Sequence, residues 1–180
     1  KKMIDVTQEY NKLQEKLKAG PLTAKDRNAI PQMEMPARDP KVRARQMDEV
    51  ALGFSKEQAI IEANRCLQCA KPFCMEGCPV NINIPKFVAE IAKGEFKAAV
   101  DTIKETSLLP AICGRVCPQE KQCQGKCTVG KIWKSPEKAV SIGRLERFVA
   151  DWERENGQVT MPVVAPKKKK KVAIIGAGPA

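Results

Sequence analysis

The 180-residue chain contains no histidine, and that absence removes whole classes of chemistry. Without an imidazole there is no Ser-His-Asp or Cys-His catalytic set. His-containing zinc fingers, c-type haem attachment, Rieske centres and carboxylate-plus-His iron sites go with it, since each needs an imidazole nitrogen as base or ligand. Aromatic residues are scarce, at five Phe, two Trp and one Tyr, a poor supply for the stacking surface that nucleic acid would use. No apolar run approaches the roughly 18 residues of a membrane-spanning helix. The first 18 residues are charged and amphipathic, without the apolar stretch of a secretory signal, so reduced thiols in a cytoplasmic setting are expected. Large apolar residues are also thin: Leu, Ile, Val and Phe make 40 of 180 positions, or 22%, little above the roughly 20% below which charged chains tend towards disorder. Folding such a chain against its conformational entropy calls for staples, and eight cysteines could provide them.

The net charge is +11. Five of those charges sit in one lysine run at 167–171, where a linker is expected, and the surplus of six elsewhere is ordinary. Four tracts separate by pattern. In the first, Val6, Tyr10, Leu13 and Leu17 have the spacing of one helix face, which Gly20-Pro21 ends. A Pro-rich passage over 30–40 follows, and its Asp39-Pro40 predicts a short helix to about Glu49. In the second tract, the capping box of Ser55 and Gln58 opens a helix that delivers the chain to Cys66, after which 66–80 reads as loop. In the third, residues 85–93 and 95–104 predict two helices hinged at Gly94, with Phe87, Val88, Ile91, Phe96, Val100 and Ile103 inside. A second Cys-rich loop is read over 113–127. The last helix, 141–156, presents Leu145, Phe148, Val149 and Trp152 to the core and stops at Gly157.

The cysteines fall as Cys66-x2-Cys69-x4-Cys74-x3-Cys78-Pro79 and, 34 residues on, Cys113-x3-Cys117-Pro118-x4-Cys123-x3-Cys127. Two groups of four, each with a Cys-Pro, point to two metal centres. An iron-sulfur cube several ångströms across takes thiolates from loops that wrap it, often with Cys-Pro at the exit. Tetrahedral zinc prefers two facing Cys-x2-Cys knuckles, and only Cys66/Cys69 has that form. The spacing favours clusters over zinc, and both over buried thiols without metal, because eight Cys in two short tracts cannot all be core residues. In two-cluster ferredoxins the last Cys of a run serves the other cluster; if Cys74 and Cys78 divide in that way, their Cα atoms are at most about 14 Å apart. Such neighbours suit an electron relay.

Residues 66–79 (CLQCAKPFCMEGCP), 113–127 (CGRVCPQEKQCQGKC) and 142–148 (IGRLERF) resemble the N-terminal iron-sulfur domain of the glutamate synthase small subunit. The domain recurs in dihydropyrimidine dehydrogenase and in NADH-dependent ferredoxin:NADP oxidoreductase, and the likeness covers about residues 40–155. It implies an all-α, α-helical ferredoxin-like fold with two [4Fe-4S] clusters. Cys66, Cys69, Cys74 and Cys127 would hold one; Cys78, Cys117, Cys123 and Glu146 would hold the other. Dihydropyrimidine dehydrogenase has Gln at the last position, and the connection after Cys127 is a few residues longer here. Taken alone, Glu146 reads as a solvated charge between Arg144 and Arg147. Cys113 becomes a buried, non-ligating thiol; a competing count makes all eight Cys ligands and leaves Glu146 idle.

Residues 172–175 (VAII), followed by Gly176-Ala177-Gly178-Pro179-Ala180, resemble the first strand and phosphate-binding turn of an FAD domain, with Gly176 and Gly178 at the turn. The sequence ends before a third glycine, so a truncated start of that fold is expected, without flavin or nicotinamide sites and without catalysis by itself. The organisation expected is thus 1–39 as a helical and Pro-rich lead-in, 40–157 as the two-cluster domain, 158–171 as a Lys-rich linker and 172–180 as the start of the FAD-binding domain. No catalytic residue is assigned. By the same resemblance the longer protein takes hydride from NADPH onto FAD and passes electrons singly to a glutamate synthase large subunit that reductively aminates 2-oxoglutarate. The ferredoxin:NADP oxidoreductase is the alternative. A zinc-stapled nucleic-acid module would use the lysine run, and a free-standing ferredoxin conflicts with the strand and glycine turn after the linker. Neither nucleic acid nor membrane is expected as a partner.

Overall fold

Asp5 opens the first helix, α1 (Val6–Ala19), by accepting a hydrogen bond from the Gln8 amide at 3.0 Å. The computed structural model describes residues 4–159, 166, 168–171, 173, 175 and 176. Among these the regular structure is helical, apart from one isolated antiparallel bridge between Ala37 and Ala51. α1 lays Leu13, with Val6, Tyr10 and Leu17, against the core as its periodicity predicts. A second helix, α2 (Ala24–Ala29), was not expected; its signal is the capping box of Thr23 and Asp26.

α3 is one turn, Pro40–Arg43, and not the helix to Glu49 expected from Asp39-Pro40. It buries no residue, so nothing rewards its extension. The chain instead turns back to bridge Ala37, with Arg38 N donating to Val50 O at 2.9 Å and Leu52 N to Pro36 O at 2.8 Å. Arg115 then clamps the Glu49 carboxylate (Nε–Oε1 2.8 Å).

The Ser55/Gln58 capping box does open α4 (Lys56–Ala63), whose residues from Gln58 to Ala63 are all buried. α6 (Ile84–Lys93) and α7 (Phe96–Lys104) meet at Gly94, whose left-handed φ of 81° a β-carbon would strain. Their expected inner faces are buried. α11 (Ile142–Glu155) follows a short 3-10 turn, Pro136–Lys138. Phe96 receives Phe148 and Trp152 edge-on, at 5.0 and 5.5 Å between ring centroids.

Neither Cys-rich tract is simply loop. The first holds α5 (Phe73–Glu76). The second holds α8 (Pro110–Val116) and α9 (Cys123–Lys126), and α10 (Thr128–Ile132) follows at once. Of the expected terminal strand, Val172 and Ile174 lie outside the described residues, as does Gly178; residues 173, 175 and 176 carry no strand pairing. No described helix is long and apolar enough to cross a membrane.

A buried ion pair ties the lead-in to this frame. Glu62, fully inaccessible, accepts from Met33 N (2.8 Å), Ser141 N (2.9 Å) and Arg65 Nη1 (2.5 Å). Arg65 completes its donors on the carbonyls of Ala139 (3.1 Å) and Lys138 (2.6 Å).

Candidate metal centres

All eight cysteines are free thiols, and seven of them gather, with Glu146, into two groups. Cys66, Cys69, Cys74 and Cys127 line one narrow cavity, walled by Leu67, Phe73, Ile84, Val88, Val140 and other apolar groups. Cys66 arrives at the end of α4, its amide bonded to Ala63 O at 3.1 Å. Arg27 on α2 donates to the carbonyls of Asn64 (3.1 Å) and Cys66 (3.0 Å), so the unexpected helix braces the first thiol. Between Cys66 and Cys69 the chain reverses through Gln68, at φ 51°, whose side chain donates to Pro85 O at 3.1 Å. Burial pushes the Cys66 thiol up to about 11, with Cys127 and Cys69 adding to the effect. Cys74 is pushed to about 12, again by burial first, then by Cys66, Cys127 and Cys69.

The second group is Cys78, Cys117, Cys123 and Glu146. Cys117 is raised to about 11 by burial, then by Cys113, Glu146 and Cys78. Cys123 is raised to about 12, by burial first, with Cys78, Glu146 and Cys74 contributing. Glu146 is 7% exposed, and burial alone lifts its carboxyl to about 7. Its Oε1 has no hydrogen-bond partner among the described residues. The solvated charge that the isolated sequence suggests is therefore wrong: the position between two arginines faces the thiols because α11 turns Ile142 and Val149 inward on the same side.

Two close approaches build the pair of sites. Cys74 lies on α5 and Cys78 four positions on, just past its end; Cys123 opens α9 and Cys127 caps its end, with the same spacing. These two turns pack together, and Cys123 lies near both Cys78 and Cys74. Gly77 permits the approach: a β-carbon there would sit 2.6 Å from Gln122 O. At the other end, α8 packs on α11 through Gly114, where a β-carbon would sit 2.6 Å from Arg147 N. That contact sets Cys117 beside Glu146. Cys113 lies against Cys117 and is half-buried, not buried as expected, with Ser107 Oγ 3.9 Å from its sulfur.

Among the described residues no three Cys, Asp or Glu side chains converge as a single metal ion would demand. The first group instead lines a cavity. Half-buried and buried thiols beside an apolar hollow, together with an unpartnered carboxylate oxygen, fit a polynuclear centre. Sequence reading missed Arg27, Gly77, Gly114 and Thr128, whose hydroxyl is 3.4 Å from Cys69 Sγ. For Arg27 and the glycines no signal exists without the partner segment; for Thr128 the signal was adjacency to Cys127. At the other end of the chain, Gly176 has φ 107° and no neighbour that a β-carbon would meet, and its turn is described no further.

Comparison with known proteins matches residues 43–158 to the family described as dihydropyrimidine dehydrogenase domain II, 4Fe-4S cluster. The chain is 44% identical over 136 residues to the NAD-dependent dihydropyrimidine dehydrogenase subunit PreT homolog of Salmonella typhi, covering 74% of this chain and 31% of that protein. It is 38% identical over 147 residues to the glutamate synthase [NADPH] small chain of Azospirillum brasilense, covering 81% and 30%. For the Escherichia coli K12 small chain the identity is 37% over 151 residues, covering 84% and 31%. The chain thus spans about three-tenths of the length of these relatives. With both cysteine groups and Glu146 inside the matched span, the chain belongs to the dihydropyrimidine dehydrogenase domain II family of 4Fe-4S cluster domains.

Proposed function

We propose that the chain holds two [4Fe-4S] clusters and relays electrons between a flavin and a partner subunit. Cys66, Cys69, Cys74 and Cys127 hold the first cluster; Cys78, Cys117, Cys123 and Glu146 hold the second. The observation that carries this reading is the buried Glu146 Oε1, unpartnered beside Cys117 and Cys123. An acceptor left bare in that position is costly, and a metal answers it. When bound, such clusters supply one-electron redox chemistry.

The chain's own residues do the rest. The packing of α5 on α9, each followed closely by a further cysteine, keeps the two ligand sets adjacent. The apolar wall of Phe73, Ile84, Val88 and Val140 excludes water from the first set. A carboxylate is a harder donor than thiolate, so Glu146 makes the second centre unlike the first.

The relatives named as glutamate synthase small chains support an NADPH- and FAD-dependent context with a glutamate synthase large subunit as partner. A second reading, as part of an NAD-dependent dihydropyrimidine dehydrogenase, is favoured by the 44% identity to the PreT homolog. The flavin-linked ferredoxin:NADP oxidoreductase belongs to the same class of relay. Co-purification of the longer protein with each large subunit distinguishes these contexts.

For the clusters the test is anaerobic purification with iron and sulfide counts on wild type, Glu146→Ala and Cys113→Ala. Wild type should be brown with equal iron and sulfide, Glu146→Ala should lose about half of both, and Cys113→Ala should lose neither. Loss confined to Cys113→Ala would overturn the ligand assignment, and a colourless protein carrying zinc alone would overturn the reading itself.

A further inference from the structure

Thr128 is the first residue of α10 and follows Cys127 directly. A threonine at that position ordinarily turns its hydroxyl to nearby backbone, as a cap or a bond to a carbonyl one turn back. Among the described residues its hydroxyl makes no hydrogen bond to the backbone. Its Oγ instead lies 3.4 Å from Sγ of Cys69, 59 residues earlier in the chain. Among the described residues this sulfur is its hydrogen-bond partner, and both side chains line the cavity shared by Cys66, Cys74 and Cys127. With Cys69 a thiol, the S–H donates to the hydroxyl oxygen. A ligating Cys69 has no proton, and a hydroxyl rotates to suit its partner, so the direction reverses and Thr128 donates to the sulfur.

We propose that Thr128 is a positioning residue that tunes the first cluster through the Cys69 sulfur; the inference rests on the two-cluster reading above. A donor at a ligand sulfur draws electron density from the cluster and favours the reduced state, which carries one more negative charge. The second group receives no such hydroxyl from Thr128. The hydroxyl therefore shifts the potential of the first cluster alone.

The test is an EPR-monitored redox titration of the cluster-loaded full chain as wild type, Thr128→Val, Thr128→Ala and Thr128→Ser, each first checked for iron, sulfide and helical content. In Thr128→Val the reduction equilibrium of one cluster should shift about tenfold towards the oxidised form, about 59 mV lower for one electron. The other cluster should hold its potential, and Thr128→Ser should restore the wild-type value. If Val costs the chain a cluster for lack of room, Thr128→Ala gives the same reading without added bulk. Unchanged potentials in a fully loaded Thr128→Ala, or equal shifts in both clusters, would overturn the role of Thr128 alone. Absence of iron and sulfide from the wild type would overturn the reading beneath it.

Discussion

Glu62 and Glu146 are both buried carboxylates, and their surroundings differ in kind. Glu62 has two backbone amides and a guanidinium on its oxygens, so its charge is answered within the chain. Glu146 has an oxygen that no protein group meets, and its carboxyl is raised to about 7 by burial. The first pattern is that of a structural strut and the second that of a ligand. Arg65→Ala would leave the Glu62 charge buried and unpaired, at a cost of about 3–5 kcal/mol; urea unfolding of wild type and variant checks it. A loss under 1 kcal/mol would show that water or a rearranged carbonyl replaces the guanidinium. Each is a single glutamate within a helix, and only the third dimension separates their roles.

Among the helices, legibility followed length and the direction of the apolar face. α4, α6, α7 and α11 run eight residues or more, and their periodicity and caps are plain in the sequence. α5, α9 and α10 have four or five residues, too few to be stable or periodic alone; packing makes them helical. α8 misled for another reason. Its apolar residues Ile112 and Val116 point outward, 53% and 71% exposed, while Cys113, Gly114 and Cys117 face the core. A pattern reading assumes the opposite orientation. The glycines at the two tight crossings carry the prediction for this scale. Gly77→Ala and Gly114→Ala should each cost about 1–3 kcal/mol through overpacking. Gly77→Ala should lower the iron content of both centres, since α5 and α9 each serve both, whereas Gly114→Ala should affect only the centre containing Cys117 and Glu146. Thermal melts with iron counts distinguish the two, and equal iron loss in both variants would refute the division of the cysteines.

For the molecule as a whole, the thin apolar content and the eight thiols are two sides of one design. The described core centres on α4, α6, α7 and α11, and the short helices meet it mainly through Cys74, Cys123, Cys127 and Val129. Those short elements have little apolar area to hold them, so a cluster's binding free energy becomes part of the folding free energy. Stripping iron with an oxidant and chelator should therefore lower stability. Taking the loss as about 3 kcal/mol, the midpoint falls by about 6–12 °C. Hydrogen exchange should rise first in residues 66–80 and 110–132 while α6, α7 and α11 stay protected. A stripped protein with an unchanged melting point would separate the clusters from the fold.

What the sequence determined by itself was the chemistry: the missing histidine, the thiol spacing and the long amphipathic helices are local properties that no partner segment alters. The tertiary structure decided which thiol keeps company with which, that Glu146 is buried and bare, and that Gly77 and Gly114 must lack side chains. The physical reason is that these depend on contacts between segments about 20 to 60 residues apart in the chain, where one-turn helices carry no periodic trace of the neighbour they pack against.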